Sequence, residues 1–140
     1  MTAALGPCFR GGLLALVLGW QSFPAAADDL ADFHAAVDLA AYEYQAALQI
    51  LDTRSREETA AAVSRFRQSW QGITDRFAGH RPEAFADDET LPGTFMQVDA
   101  RVVGALIVID IGSREAARSA LAPIAETLAG LSARSAPAPH

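Results

Sequence analysis

Residues 30–51 read LADFHAAVDLAAYEYQAALQIL, and their spacing decides the fold. Leu30, His34, Val37, Ala41, Tyr44, Leu48 and Leu51 recur in alternating steps of four and three. That 3.5-residue period holds one face of a helix against its neighbours in a bundle. Three more stripes follow. Thr59, Val63, Phe66, Trp70, Ile73 and Phe77 form the second, opened by Ser55-Arg56-Glu57-Glu58. This opening is a capping box, in which the serine serves the first free N–H groups and Glu58 reaches back. The stripe stops at Ala78-Gly79, where glycine can adopt the left-handed conformation of a helix end. The third runs from Pro92, suited to a first helical turn, through Phe95, Val98, Val102, Leu106 and Ile109 to Gly112. Ser113 caps the fourth, which turns Ala117, Leu121, Ile124, Leu128 and Leu131 inward. Pro123 lies inside it and is expected to kink it, because proline lacks the N–H and crowds the preceding turn.

The stretch from Val102 to Ile109 is apolar all round and rich in β-branched residues, so in isolation it also fits a buried strand. A lone strand among helical patterns has nothing to pair with, which makes it helical. The expected fold is all-α, an antiparallel up-down-up-down four-helix bundle. The segment from His80 to Leu91 reads as a loop, residues 135–140 as a disordered tail, and no internal repeat is legible beyond the heptads. The excess apolar surface of the third helix calls for a cover, either deep enclosure in the bundle or a homodimer interface.

The first 27 residues give an address. One basic residue, Arg10, precedes the ten residues from Gly11 to Trp20, which are mostly apolar, and Ala25-Ala26-Ala27 ends the segment ahead of Asp28-Asp29. This is the pattern of a secretory signal peptide, with cleavage expected after Ala27 and periplasmic export as the outcome. Ten residues are too few to span a bilayer, which takes roughly 20, so no stable membrane insertion is expected after cleavage. The domain layout is then a signal peptide at 1–27, a bundle at 28–134 and a tail at 135–140.

Composition narrows the function. The chain contains 11 arginines and no lysine against 17 acidic residues, and loss of Arg10 leaves a net charge of −7. An acidic protein without a basic stripe repels nucleic acid and anionic lipid. Its single cysteine, Cys8, leaves with the signal. The mature protein therefore has neither disulfide nor thiolate and is stable by packing alone. Gly-x-Ser-x-Gly, His-Glu-x-x-His, Glu-x-x-His and phosphate-loop motifs are missing, so the sequence gives no support to an enzyme.

The start Asp29-Leu30-Ala31-Asp32-Phe33-His34 and the later run Ser113-Arg114-Glu115-Ala116-Ala117-Arg118-Ser119-Ala120 resemble the soluble periplasmic four-helix cytochromes of the b and c-prime type. The resemblance covers almost the whole mature chain through helix order and loop placement. It implies the bundle fold, the periplasm and, in the family, a haem-binding electron carrier. His34 matches the position of that family's Met haem ligand, and its second ligand, a His, matches about Leu131, which cannot bind iron. The Cys-x-x-Cys-His motif of covalent haem attachment is missing, so the haem-ligand pattern is not retained.

The remaining candidate chemistry gathers at one expected bundle end. There His34 shares a layer with the end of helix two, the start of helix three and the end of helix four. Phe77, Phe95 or Met96, and Leu128 or Leu131 fall in that layer, with His80 just beyond. Two imidazoles and a thioether suit a copper ion, so His34, His80 and Met96 are the expected metal ligands. The bland alternative gives His34 a loop carbonyl as partner, leaves His80 in solvent and makes Met96 a space-filler. The acidic clusters Asp28-Asp29-Asp32 and Asp87-Asp88-Glu89 belong to helix N-termini, where the dipole favours negative charge. Asp110 is expected to pair with Arg114, and Asp99 with Arg101 or an arginine of a neighbouring helix. These features describe a non-enzymatic binding protein, with a metal ion or haem-like ligand at the His34 end as the first reading and a protein partner or self-association through helix three as the alternative.

Overall fold

The computed structural model describes residues 25–137, and residues 1–24 and 138–140 lie outside that description. Most of the expected signal segment and the end of the expected tail therefore fall beyond it. The described residues form four α-helices with no strand: α1 Ala25–Thr53, α2 Arg56–Phe77, α3 Leu91–Ile111 and α4 Arg114–Ser135. Each packs on two neighbours, α1 on α2 and α4, α2 on α3, and α3 on α4, which makes a four-helix bundle. None is long and apolar enough to cross a membrane.

The helix ends follow the local chemistry. Ser55 accepts from the Glu58 N–H while the Glu58 carboxylate accepts from the Ser55 N–H, completing the capping box. Those bonds lower the pKa of the Glu58 carboxyl. Ser113 accepts from the Ala116 N–H at the start of α4. Gly112 ends α3 at φ 100°, a left-handed value that costs glycine nothing. Gly79 behaves differently: Gly112 is the one described glycine with positive φ, and α2 closes on a right-handed Ala78. Pro123 sits inside α4, which continues as one helix to Ser135.

The core line of α1 runs through Phe33, Val37, Ala40, Tyr44, Ala47 and Leu51. Three of the seven residues read from the sequence are there. The other four, Leu30, His34, Ala41 and Leu48, form the half-buried shoulder beside it. Period alone cannot choose between two adjacent ridges of an alanine-rich helix, and the larger Phe33 takes the interior. The stretch Val102–Ile109 is helical. The segment after α2 is more than a loop, because a 3₁₀ turn at Glu83–Phe85 buries Phe85 completely. Ser135, expected in a disordered tail, is the buried last residue of α4.

The buried positions reveal a repeat that residue identity conceals. Leu51, Val63, Phe66, Trp70 and Ile73 are followed 58 positions later by Ile109, Leu121, Ile124, Leu128 and Leu131, all buried. The same interval relates Phe33 to Leu91, Val37 to Phe95, Ala40 to Val98 and Tyr44 to Val102. The end of α1 and the start of α2 recur at the end of α3 and the start of α4. Identical residues cluster at that turn, with Asp52, Ser55, Arg56 and Glu57 matched by Asp110, Ser113, Arg114 and Glu115. The helix–turn–helix pattern of the first half thus recurs in the second, and the expectation of no repeat is corrected.

Trp70 links the halves. Its indole N–H donates to the Phe95 carbonyl at 3.0 Å, and the ring meets Phe95 edge-on at 5.6 Å and stacks on Phe66 at 6.3 Å. Trp70→Ala removes this bond and leaves a cavity, which costs about 3–5 kcal/mol for a core aromatic. Chemical denaturation monitored by circular dichroism will measure the loss, and a change below about 1 kcal/mol would contradict a core role.

Candidate functional site

The expected metal ligands come from three separate elements. His34 lies on the shoulder of α1 against the end of α4, with 24% of its side chain exposed. It borders an apolar groove with Leu30, Ala31, Ser135 and Pro137. His80 follows α2 and is 76% exposed, its Nε2 3.0 Å from Asp29. Met96 is 73% exposed and borders a different groove, between α2 and α3, with Gln71, Thr74, Asp75 and Asp99. His34 and Met96 therefore face different grooves, and Phe95 is the residue that enters the core. Among the described residues, no group of three His, Cys, Asp or Glu side chains is arranged to hold a metal ion.

His34 instead joins a polar chain that the sequence reading missed. Its Nδ1 is 2.9 Å from Ser135 Oγ and its Nε2 3.3 Å from Asp38 Oδ2. Asp38 in turn accepts from the Ser132 hydroxyl at 2.9 Å. Ser135 donates to the Leu131 carbonyl at 2.8 Å and turns its oxygen to His34 Nδ1. A serine, a histidine and an aspartate in a row invite comparison with a nucleophilic triad, but the geometry opposes that chemistry. The Ser135 hydroxyl is buried, and it sits in the last turn of α4, whose partial negative charge disfavours an oxyanion. The chain of bonds fastens the end of α4 to α1. The i, i+4 spacing of His34 and Asp38 was visible in the sequence, whereas the contact across 101 positions to Ser135 required the fold.

Haem does not suit the same end. The position matching the second axial ligand is Leu131, buried and without a donor atom. The neighbouring space is filled by Phe33, whose ring centre is 5.1 Å from Phe77 and 5.0 Å from Phe85.

Three members of the acidic clusters meet basic side chains. Asp32 pairs with Arg76 at 2.6 Å, Asp29 meets His80, and Asp88 pairs with Arg134 at 2.8 Å. Arg134 also lies 4.3 Å above the Phe85 ring. Asp99 pairs with Arg67 of the neighbouring helix, which raises the pKa of that arginine. Arg114 does not use Asp110 as its partner; it donates to the carbonyls of Leu51 and Arg54, the orphan acceptors at the end of α1.

The second candidate surface is the outer ridge of α3. Met96, Ala100, Val103, Ile107 and Ile111 lie opposite its buried line, and Met96, Ile107 and Ile111 are 73%, 57% and 75% exposed. The repeat supplies an internal control. Their counterparts 58 positions earlier on α1 are Asp38, Tyr42, Gln45, Gln49 and Thr53. Two hairpins that share an inner pattern thus differ on their outer faces, so the apolar ridge is no by-product of the repeat. Comparison with protein-family models, with curated proteins and with solved structures found no match.

Asp88 ties the linker to both α3 and α4. Bonds from the Thr90 hydroxyl, Arg134 and the Thr90 N–H hold its carboxyl down at about 2. A depressed folded-state pKa gives stability that is present above the unfolded value near 4 and lost as pH falls through the folded value. Asp88→Asn should therefore destabilise the protein at pH 7, with the difference from wild type closing between about pH 4 and pH 2. Urea midpoints across that range will measure it, and a constant difference would contradict the assignment.

Proposed function

We propose that this protein is exported to the periplasm as a non-enzymatic, antiparallel up-down-up-down four-helix bundle that works by self-association through α3. The observation carrying this reading is the exposed ridge Met96, Ala100, Val103, Ile107 and Ile111, whose counterparts in the repeat are polar except for Tyr42. Large apolar side chains exposed along one face are the usual mark of an interaction surface.

A second copy fits the ridge best, because the pattern is self-complementary. Crossing α3 against itself in opposite directions brings Met96 to Ile111, Ala100 to Ile107, and Val103 to Gly104. A large residue then faces a smaller one in the two central pairs. Nothing lies within 4 Å of the position a side chain on Gly104 would take, so another helix can approach there. This is the isologous geometry of a two-fold dimer. One 21-residue helix is about 31 Å long at 1.5 Å per residue, and its single ridge falls short of the ~800 Å² per partner of a standard interface. The dimer should consequently be weak, with Kd on the order of 10 µM. The copper reading at His34, His80 and Met96 has less support, since His34 and Met96 border separate grooves.

Light scattering coupled to size exclusion should show a monomer–dimer equilibrium across micromolar concentrations. It should shift toward dimer as salt screens the acidic copies. Ile107→Glu should give a monomer at every concentration with unchanged helicity, and a dimer that survives this change would overturn the reading. Separately, N-terminal sequencing of protein recovered from the periplasm should begin at Asp28. Recovery of full-length chain from the cytoplasm would defeat the export assignment.

A further inference from the structure

At the bundle end opposite His34, the repeat places two arginines around one small cavity. Arg56 and Arg114 are the first residues of α2 and α4. Arg56 crosses to the end of α3 and donates to the Asp110 carbonyl at 2.9 Å. Arg114 crosses to the end of α1 and donates to Leu51 at 2.9 Å and Arg54 at 2.6 Å. Between them lies a cavity of about 40 Å³ bordered by Leu51, Ile109, Thr59, Gly112 and the two arginines. Leu51 and Ile109 are themselves counterparts in the repeat, so the cavity lies where the two halves meet.

We propose that this cavity is a binding site for a small oxyanion, either a carboxylate head or a tetrahedral oxyanion, held between the Arg56 and Arg114 guanidinium groups. Two like charges converge on a space whose lining contains no carboxylate. Two of the nearby acids are engaged elsewhere, and a third makes only a long, exposed pair with Arg56. Glu58 is tied to Ser55, Asp52 pairs with Arg118, and Glu57 is 3.9 Å from Arg56 but 78% exposed. Thr59 gives its hydroxyl proton to the Ser55 carbonyl at 2.8 Å and so offers the anion no donor. A guanidinium offers five N–H donors in a planar fork that matches carboxylate and phosphate oxygens, and the carbonyl bonds use a minority of them. The volume sets the ligand size. A single water takes roughly 10–15 Å³ by this kind of measure, so the space suits the few oxygens of one small anion.

The test is a titration of the full chain with inorganic phosphate, sulfate or acetate against chloride at matched ionic strength. It is followed by thermal melting and by the NMR signals of the arginine side-chain Nε–H groups and the Gly112 amide. Saturable stabilisation by one oxyanion, with shifts centred on Arg56, Arg114 and Gly112, is the expected result. Phosphate or sulfate without acetate would assign a tetrahedral ligand, and acetate alone a carboxylate. Arg56→Gln and Arg114→Gln should each weaken binding at least tenfold, while Arg76→Gln at the far end leaves it unchanged. Equal behaviour of all three oxyanions and chloride, or shifts spread over every arginine, would overturn the proposal. The wild-type spectra decide this even if a variant fails to fold.

Discussion

The contact between Trp70 and Phe95 is the one on which the rest of the molecule depends. It crosses from the first hairpin to the second, whose chain connection is the linker between α2 and α3. The hydrogen bond to the Phe95 carbonyl lets a large aromatic bury its N–H without leaving it unsatisfied, and it sets the height of α3 against α2. With that height fixed, Phe66 stacks on Trp70 and meets Tyr44 of α1 edge-on, and the Tyr44 hydroxyl reaches the Leu121 carbonyl of α4 at 2.9 Å. Burial raises the pKa of this phenol, which keeps it a donor. One aromatic series thus links all four helices, and it does so with every buried side-chain polar atom of the described residues satisfied.

The halves of the repeat differ most where that series ends. Phe77 of the first hairpin corresponds to Ser135 of the second, a change from a large ring to a hydroxyl in the same core layer. Phe85, carried in by the 3₁₀ turn, packs on Phe33 beside Arg134 and supplies the missing volume. The exchange also frees a hydroxyl for His34. An aromatic residue on the linker therefore has a packing function that a duplicated hairpin alone would lack.

The helical class was legible because it rests on period, and the stops at Ser55, Gly112 and Ser113 rest on turn chemistry that local sequence carries in full. The exact core line of α1 was less legible. Alanine fills so much of it that period alone does not separate the ridge of His34 from that of Phe33. Phe85 was hidden in a segment whose proline and acidic residues announce a loop. The repeat was hidden for a different reason. Its halves conserve burial more than residue type, so Trp70 answers to Leu128, and the Ser-Arg-Glu turn is the longest run that keeps its letters. Most of the polar network around His34 joins positions far apart in the chain, which no local pattern reveals.

Under the proposed self-association, the difference between the outer faces of α1 and α3 would set how many neighbours a molecule can engage. These two helices lie diagonally across the bundle, so apolar ridges on both would make each molecule bivalent. Association would then continue from copy to copy into an open filament. With the α1 ridge occupied by Asp38, Tyr42, Gln45, Gln49 and Thr53, polar but for one tyrosine, the proposed association would stop once a single ridge is covered.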